Sequence, residues 1–389
     1  MNDRVPVENC TGCSACVFSC PQKAIDMVED GEGFLYPRVD PERCNSCGLC
    51  IKGCPVRADA VVTSMAIPTV YAGWTTDPDL LRQSTSGGVF SEIARPIIEE
   101  GGVVFGAAYD EKMTVRHMAV TSWGGLRALR GSKYVQSDVG YSYHAAEKYL
   151  MAGKRVLYSG TPCQIAGLQA AIGKDHEGLL TCDLICHGVP SPKVFRMAID
   201  SIEKHKNSKV VDFFFRDKSF GWLYPMVRIA CADGMFCDEN NMDNHFNLGF
   251  LKNIYLRPAC HQCTSKLGDS AADITLGDFW QLLKFEPSLI NRGGTSAVIV
   301  NTARGRRAIQ QSAGRLSLTE CPFAYVEKES NLRKSVKPSP ERAAFFADLD
   351  RLSFEELTQK YIKPRNTLVR RLAYIRRVCL RWRDNWKCA

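Results

Sequence analysis

The middle of the chain alternates short apolar runs with longer stretches that are apolar on one side only. A helix is predicted for 88–100, where apolar residues recur at helical spacing. The strands predicted from the apolar runs are 70–74, 103–109, 155–159, 179–185 and 296–301. Two further strands, 210–215 and 225–231, are joined by a turn, which predicts an antiparallel or mixed part of the sheet. The pattern predicts an α/β fold with a mixed sheet.

The carboxyl-terminal segment, 341–389, is predicted to be a basic helical tail. If 364–386 is helical, one apolar stripe contains Leu368, Leu372, Ile375, Cys379, Trp382 and Trp386. From Lys363 to Ala389, nine lysines and arginines face one acid, which accounts for the formal net charge of +8. A generally basic surface that binds nucleic acid is therefore not predicted. The helix is expected to pack on its own domain, and the alternative is peripheral contact with an anionic membrane or an acidic partner.

The composition predicts a cytoplasmic protein. Residues 1–9 carry charges of both signs and run directly into a cysteine, so no secretory signal is expected there. No stretch approaches the roughly 18 apolar residues of a membrane-spanning helix. Eighteen cysteines in such a chain indicate metal ligation rather than a disulfide framework.

Two cysteine runs near the amino terminus share the spacing Cys-x-x-Cys-x-x-Cys-x-x-x-Cys-Pro. Such a run supplies three thiolates to one [4Fe-4S] cluster, and its fourth cysteine ligates the neighbouring cluster. The two predicted ligand sets are Cys10, Cys13, Cys16 with Cys54, and Cys44, Cys47, Cys50 with Cys20. Zinc also binds Cys-x-x-Cys pairs, but four cysteines followed by proline favour iron. Residues 1–66 are thus predicted to form an α+β domain that resembles a bacterial two-cluster ferredoxin.

Four further cysteines lie on three loops of the α/β region. Cys163 and Cys186 each follow a predicted strand, while Cys260 and Cys263 form a Cys-x-x-Cys pair. Loops gathered at the carboxyl edge of a sheet can converge on one cluster, but the spacing alone leaves this third metal site open. Cys182 competes with Cys186 for one ligand position, because residues 182, 184 and 186 would share one strand face. The other interpretation of Cys182 is a small buried apolar residue.

Several motifs of this region occur together in one known family. They are 86–88 (SGG), 131–137 (GSKYVQS), 160–164 (GTPCQ), 186–190 (CHGVP), the pair at 260 and 263, and 273–280 (DITLGDFW). Up to about residue 305 the chain resembles the beta-subunit family of coenzyme F420 hydrogenases and dehydrogenases, in the version with a fused amino-terminal ferredoxin domain. The resemblance implies that 67–340 form a catalytic domain with FAD and a [4Fe-4S] cluster, and that the cluster ligands are Cys163, Cys186, Cys260 and Cys263.

Three short stretches are candidates for contact with FAD. A serine and two glycines stand before the predicted helix, where free backbone N–H groups favour phosphate. The second stretch contains a lysine that would stabilise negative charge on a reduced flavin, and the third flanks Cys163. The candidate cofactor-binding residues are Ser86, Gly87, Gly88, Ser132, Lys133, Tyr134, Gln136, Ser137, Thr161 and Gln164.

Lys133, His187 and Asp278 are the candidate catalytic residues. His187 follows a predicted cluster ligand and would relay a proton during hydride transfer, unless it only makes a hydrogen bond beside the cluster. Asp278 is a second proton-transfer candidate, and its alternative role is a helix cap or turn. The alternative for Lys133 is an ordinary solvated lysine.

Together these features predict a flavin-dependent iron-sulfur oxidoreductase. Clusters carry single electrons, and a flavin links them to the two-electron chemistry of organic substrates. The expected substrate is a small redox molecule, such as reduced coenzyme F420 or another organic acceptor. The expected partner is a redox protein, namely a ferredoxin or a subunit of a hydrogenase or reductase. The alternative is an electron-transfer subunit of such a complex that has no substrate of its own.

Overall fold

The structure is a computed structural model that describes residues 9–57, 68–173, 176–240, 242–266 and 271–363. Its strands are β1 (Ile25–Glu29), β2 (Leu35–Val39), β3 (Thr69–Thr75), β4 (Val103–Tyr109), β5 (Val115–Val120), β6 (Val156–Ser159), β7 (Leu179–Leu184), β8 (Val210–Asp217), β9 (Met226–Cys231), β10 (Phe236–Asn240), β11 (Ile274–Asp278), β12 (Ser296–Val300) and β13 (Leu316–Cys321).

The α-helices are α1 (Ala15–Phe18), α2 (Leu49–Lys52), α3 (Pro78–Gln83), α4 (Val89–Glu99), α5 (Leu126–Leu129), α6 (Ser142–Met151), α7 (Pro162–Ile172), α8 (Pro192–Lys206), α9 (His245–Leu251), α10 (Leu282–Phe285), α11 (Ala303–Ser312), α12 (Phe323–Glu327), α13 (Ser330–Arg333), α14 (Arg342–Asp348) and α15 (Phe354–Leu357). Short 3-10 helices include Pro258–Gln262 and Thr264–Lys266, and a π-helical turn spans Thr358–Ile362.

The largest sheet has eight strands in the order β13-β3-β12-β11-β7-β6-β4-β5. Its centre, β11-β7-β6-β4, is parallel, and the other pairs are antiparallel. Helices α4 and α11 pack on one face and α6 and α7 on the other, so alternate residues of β4 enter two separate cores. Burial on both faces explains why β4 and β6 are apolar runs in the sequence, whereas β7 and β11 also contain polar residues. The predicted α/β fold with a mixed sheet is confirmed.

A smaller antiparallel sheet, β10-β9-β8, packs against α8, α9 and α14 through a core rich in phenylalanine. Phe345, Leu357 and Ile362 belong to that core, so the chain packs with this sheet and its helices as far as Ile362. The predicted basic helix at 364–386 lies outside the described residues. Among the described helices, none combines the length and apolar character needed to cross a membrane.

The amino-terminal region contains a β-hairpin between its two cysteine runs. Strands β1 and β2 pair antiparallel, with Ile25 opposite Val39. Tyr36 lies in β2, and the turn of the hairpin occupies the residues between the two strands. Two short helices, α1 and α2, each begin inside a cysteine run, which gives the predicted α+β domain.

Candidate functional site

The two cysteine runs have the same backbone conformation. In each, the residues just before and just after the second cysteine have positive φ: Gly12 (69°) and Ser14 (61°) in the first, Ser46 (58°) and Gly48 (76°) in the second. A residue at positive φ reverses the local direction of the chain, and it is rare outside glycine. The internal repeat in the sequence is therefore also a repeat of loop geometry.

The thiols of the first ligand set gather around one cavity of about 50 Å³. Cys10, Cys13, Cys16 and Cys54 all line it, and Cys50 lies at its wall. Burial raises the pKa of Cys13 to about 11, and the neighbouring Cys10 and Cys54 add to the effect. Such burial disfavours free thiolates, and the free-energy cost of burying them is offset when the thiolates bind iron.

The second set is grouped around Cys50. Burial raises the pKa of this thiol, and Cys20, Cys47 and Cys44 act on it in the same direction. Cys44 and Cys47 are exposed, whereas every cysteine of the first set is buried or half-buried. The grouping agrees with the interleaved assignment predicted from the spacing.

A second cysteine cavity lies at the carboxyl edge of the large sheet. Its volume is about 20 Å³, and it is lined by Cys163, Cys186, Cys260 and Cys263 together with Thr11. Cys163 lies in the first turn of α7, directly after β6, and Cys186 follows β7. Cys260 lies in the 3-10 helix Pro258–Gln262, which Cys263 follows. Three loops that are distant in sequence thus meet at one point.

Cys182 does not belong to this group of thiols. It lies in β7 and packs in the core with Leu180 and Ile274. Burial raises its pKa, and the charged groups that contribute are Asp183 and Asp273 rather than another cysteine. By contrast, Cys260 and Cys263 both act on Cys186, whose pKa burial raises to about 12. The geometry therefore favours Cys186 over Cys182.

Within the described ranges, no three His, Cys, Asp or Glu side chains lie close enough together to hold one metal ion. A [4Fe-4S] cluster separates its four thiolates by the width of the cube, so thiols spaced around a cavity suit a cluster better than a single ion.

Two buried cations adjoin the four-thiol cavity. Lys266 is 3% exposed and Arg257 is 1% exposed, and both line it. Buried charges of one sign require a nearby charge of the opposite sign. Four thiolates and their cluster provide that negative charge, so the surroundings of this cavity fit an iron-sulfur cluster.

A large cavity of about 490 Å³ lies at the same edge of the sheet, beside the start of α4. Of the residues that the sequence singled out, those lining it are Ser86, Gly88, Ser132, Lys133, Tyr134, Ser137, Thr161, Gln164, Cys182, Cys186, His187 and Asp278. Gly88 has φ +78°, and a Cβ there would lie 2.8 Å from Thr75 Cγ2. This glycine therefore permits the close turn that directs the N-terminus of α4 at the cavity.

Two of the predicted cofactor residues do not line the large cavity. Gly87 packs on the sheet, where its N–H donates to Ser296 Oγ at 2.9 Å and a Cβ would lie 2.2 Å from the carbonyl oxygen of Gly73. Gln136 points to the ferredoxin domain and donates from Nε2 to the carbonyl oxygen of Thr11 at 3.0 Å. Gly87 and Gln136 therefore stabilise the structure around the large cavity and do not line it.

The three candidate catalytic residues all have partners. Lys133 Nζ donates to the carbonyl oxygens of Ala128 (2.8 Å) and Arg130 (2.6 Å), and burial lowers its pKa to about 8. Asn253 and Asn331 engage the two ring nitrogens of His187, and burial lowers the pKa of this imidazole.

Asp278 accepts hydrogen bonds from Arg216 Nη1 (2.8 Å) and Trp222 Nε1 (2.7 Å). Arg216 also lines the cavity, and its side chain is 8% exposed. Its Nε and Nη2 atoms have no partner within hydrogen-bond distance, although Tyr134 is a polar neighbour of the guanidinium. Such orphaned donors are costly unless a ligand accepts from them.

His117 is a cavity residue that the sequence did not indicate. Its Nε2 lies 3.0 Å from the carbonyl oxygen of Ser159, which can only accept, so Nδ1 accepts from Ser137 Oγ at 2.8 Å. Ser137 Oγ in turn accepts from Gln164 Nε2 at 3.1 Å. Burial lowers the pKa of His117 to about 4, which keeps the imidazole neutral. A lone histidine in β5 carries no recognisable motif, so only the contacts identify it.

Comparison with known families gives the class of protein. A 4Fe-4S dicluster domain matches residues 9–58. The coenzyme F420 hydrogenase/dehydrogenase beta subunit matches in two sections, its N-terminal part at 70–141 and its C terminus at 153–322. The molecule is thus an iron-sulfur protein of an oxidoreductase family. The chain belongs to the coenzyme F420 hydrogenase/dehydrogenase beta-subunit family and carries a fused two-cluster domain.

Among solved structures, a chain of the F420-reducing [NiFe] hydrogenase complex from Methanosarcina barkeri, derivatized with xenon, is similar to this one. The two share 19% identity, the match covers 76% of this chain and 90% of that chain, and the TM-score is 0.44. No curated protein matches the chain.

Proposed function

We propose that this protein is a flavin-dependent oxidoreductase that joins three [4Fe-4S] clusters to FAD and exchanges hydride with a small organic substrate such as reduced coenzyme F420. The clusters supply one-electron transfer, and FAD supplies the exchange between single electrons and hydride. Cys10, Cys13, Cys16 and Cys54 would hold the first cluster, and Cys44, Cys47, Cys50 and Cys20 the second. Cys163, Cys186, Cys260 and Cys263 would hold the third.

The observation that carries this proposal is that the three cavities share walls. Thr11 lines both the cavity of the first ligand set and the four-thiol cavity. Cys186, Gly188 and Val189 line both the four-thiol cavity and the large cavity. The cavity of the first ligand set, the four-thiol cavity and the large cavity are therefore adjacent, and electron transfer between neighbouring centres requires such adjacency.

The chemistry of the large cavity suits FAD. The N-terminus of α4, with Gly88, Val89 and Phe90 at the wall, offers free N–H groups and a positive dipole end to phosphate. Arg130 lies at the same wall, and its buried Nη2 has no hydrogen-bond partner. The volume falls within the usual range of cofactor pockets, about 300 to 1,000 Å³.

Anaerobic purification with iron, sulfide and flavin assays tests the proposal. About twelve irons and one FAD per chain are expected for three cubes and one flavin. The C260S variant should lose about one third of the iron, because it removes one ligand of the third cluster only. Turnover with coenzyme F420 then tests the substrate. A protein with about eight irons, or one without flavin, would contradict the proposal.

The second candidate function is an electron-transfer subunit without a substrate of its own. The exposure of Cys44 and Cys47 favours it, because an exposed cluster edge gives a protein partner a short path for electrons. Mixing the reduced protein with a ferredoxin and following the change in cluster absorbance measures that exchange. Electron exchange with the ferredoxin but none with F420 or other organic acceptors would favour this second function.

A further inference from the structure

Lys266 is a lysine in an unusual position. It ends the short 3-10 helix Thr264–Lys266, three residues after Cys263, and it is 3% exposed. Its side chain lines the four-thiol cavity. Lysine is almost never buried to this degree without an oppositely charged partner.

The hydrogen bonds of Lys266 do not supply that partner. Nζ donates to the carbonyl oxygens of His187 at 2.9 Å and Lys334 at 3.4 Å. Among the described residues, no carboxylate forms an ion pair with it. Carbonyl oxygens satisfy the N–H groups but leave the positive charge uncompensated in a medium of low dielectric constant.

The ferredoxin-domain cavity provides the contrast. The residues that line it are cysteines together with small, apolar and hydroxyl side chains, and none of them carries a fixed charge: Cys10, Thr11, Gly12, Cys13, Ser14, Ala15, Cys16, Met27, Tyr36, Pro37, Cys50, Ile51, Cys54, Pro55 and Val56. The four-thiol cavity has Lys266 and Arg257 at its wall. Arg257 also donates to the carbonyl oxygen of Cys10, so it lies between the two sites, whereas Lys266 lines the four-thiol cavity and not the ferredoxin-domain cavity.

We propose that Lys266 is the buried counter-cation of the third cluster and makes its reduction potential more positive than it would be without this charge. The inference rests on the proposed function, because it requires a cluster on Cys163, Cys186, Cys260 and Cys263. A cluster with four thiolates is anionic and becomes more so when it gains an electron, and a nearby buried cation stabilises the added negative charge. Lys266 therefore favours electrons at the site nearest the large cavity.

Anaerobic redox titration of the loaded protein, followed by electron paramagnetic resonance, tests this role. In K266Q, the reduction potential of one of the three clusters should become more negative by at least about 59 mV. For one electron, this shift corresponds to a tenfold change in the electron-transfer equilibrium. K266R keeps the charge and should retain most of the wild-type value. The matched control is K334Q, which removes the same charge at a neighbouring exposed position and should leave all three potentials unchanged.

Iron content separates the possible failures. If K266Q binds about eight irons while K266R binds about twelve, the positive charge is needed to hold the third cluster, which supports the inference. If both variants lose the cluster, Lys266 acts through packing and the inference is wrong. Twelve irons in K266Q with unchanged potentials would also overturn it. Wild-type protein with only eight irons would instead refute the proposed third cluster itself.

Discussion

The guanidinium Nε of Arg257 donates a hydrogen bond to the carbonyl oxygen of Cys10 at 2.7 Å, across 247 positions of the chain. Nη1 and Nη2 of the same side chain reach Gln136 Oε1 at 2.9 Å and the carbonyl oxygen of Leu35 at 3.0 Å. The ring of Tyr36 lies 4.2 Å from the guanidinium carbon. One buried arginine therefore joins the first cysteine run, the hairpin of the ferredoxin domain and the catalytic domain.

Replacing Arg257 with methionine should loosen the contact between the two domains. The R257M variant leaves the acceptors on Cys10, Gln136 and Leu35 unpaired in a buried place, at a cost of about 1 to 3 kcal/mol for each buried group that finds no new partner. We expect a lower urea midpoint, and, if the proposed flavin is bound, electron transfer from the ferredoxin domain to it at least about tenfold slower, measured by stopped-flow absorbance.

The control for Arg257 is R82M. Arg82 is 71% exposed and pairs only with Asp79 on the surface. Exposed pairs contribute about 0 to 1 kcal/mol, so this variant should keep the wild-type midpoint and rate. If R257M behaves like R82M, the arginine does not hold the domains together.

Gly167 in α7 allows the ferredoxin domain to approach closely. A Cβ at this position would lie 2.8 Å from Cys13 Cβ and 3.0 Å from Cys13 Sγ. The G167A variant should therefore displace the first cysteine run, and we expect partial loss of the first cluster, measured as iron per chain. G314A is the matched control, because a Cβ on Gly314 would meet nothing within 4 Å. Full iron content in G167A would show that the run can shift without losing its cluster.

Glu329 should make stability depend on pH. It is 7% exposed and lines the large cavity, and burial raises its pKa from 4.5 to about 7, with Asp278 adding to the rise. Because the folded protein favours the protonated acid, this stabilisation is complete below pH 4.5 and is lost as the pH rises to about 7.

E329Q does not titrate, so comparing it with wild type isolates this effect. Relative to E329Q, the wild-type free energy of unfolding should fall by at most about 3 kcal/mol between pH 5 and pH 8. Urea unfolding at both pH values measures it. E99Q, at an exposed position in α4, should follow wild type. If the free energy of unfolding depends on pH in the same way in wild type and E329Q, the prediction is wrong.

Replacing Cys182 and replacing Cys186 should have different effects on the iron content of the protein. C186A removes a thiol that lines the four-thiol cavity and should leave about eight irons per chain, whereas C182A should keep about twelve. C182A instead leaves a small cavity in the core and should cost about 1 kcal/mol of stability. If C182A loses iron while C186A keeps its full iron content, Cys182 is the cluster ligand and Cys186 is not.

The apolar runs predicted β3, β4, β6, β7, β8, β9 and β12 within one or two residues. Of these, β4 and β6 lie in the centre of the large sheet and are mostly apolar because both faces are buried, whereas β7 also contains the buried polar residues Thr181 and Asp183. The strands that were not predicted include β5 and β13 at the sheet edges and β10, a mostly polar strand. An edge strand exposes one face to solvent, and its sequence therefore resembles a loop.

The sequence by itself determined the chemistry of the ferredoxin domain, because three ligands of each cluster follow one another at intervals of three positions and this local spacing defines the loop. It also determined the family. Only the tertiary structure decided that Cys186 rather than Cys182 faces Cys163, and that Lys266, Arg257, Arg216 and Glu329 adjoin the cavities. Those relationships depend on which loops meet at one sheet edge, and contacts between residues far apart in the chain leave no periodic signal in the sequence.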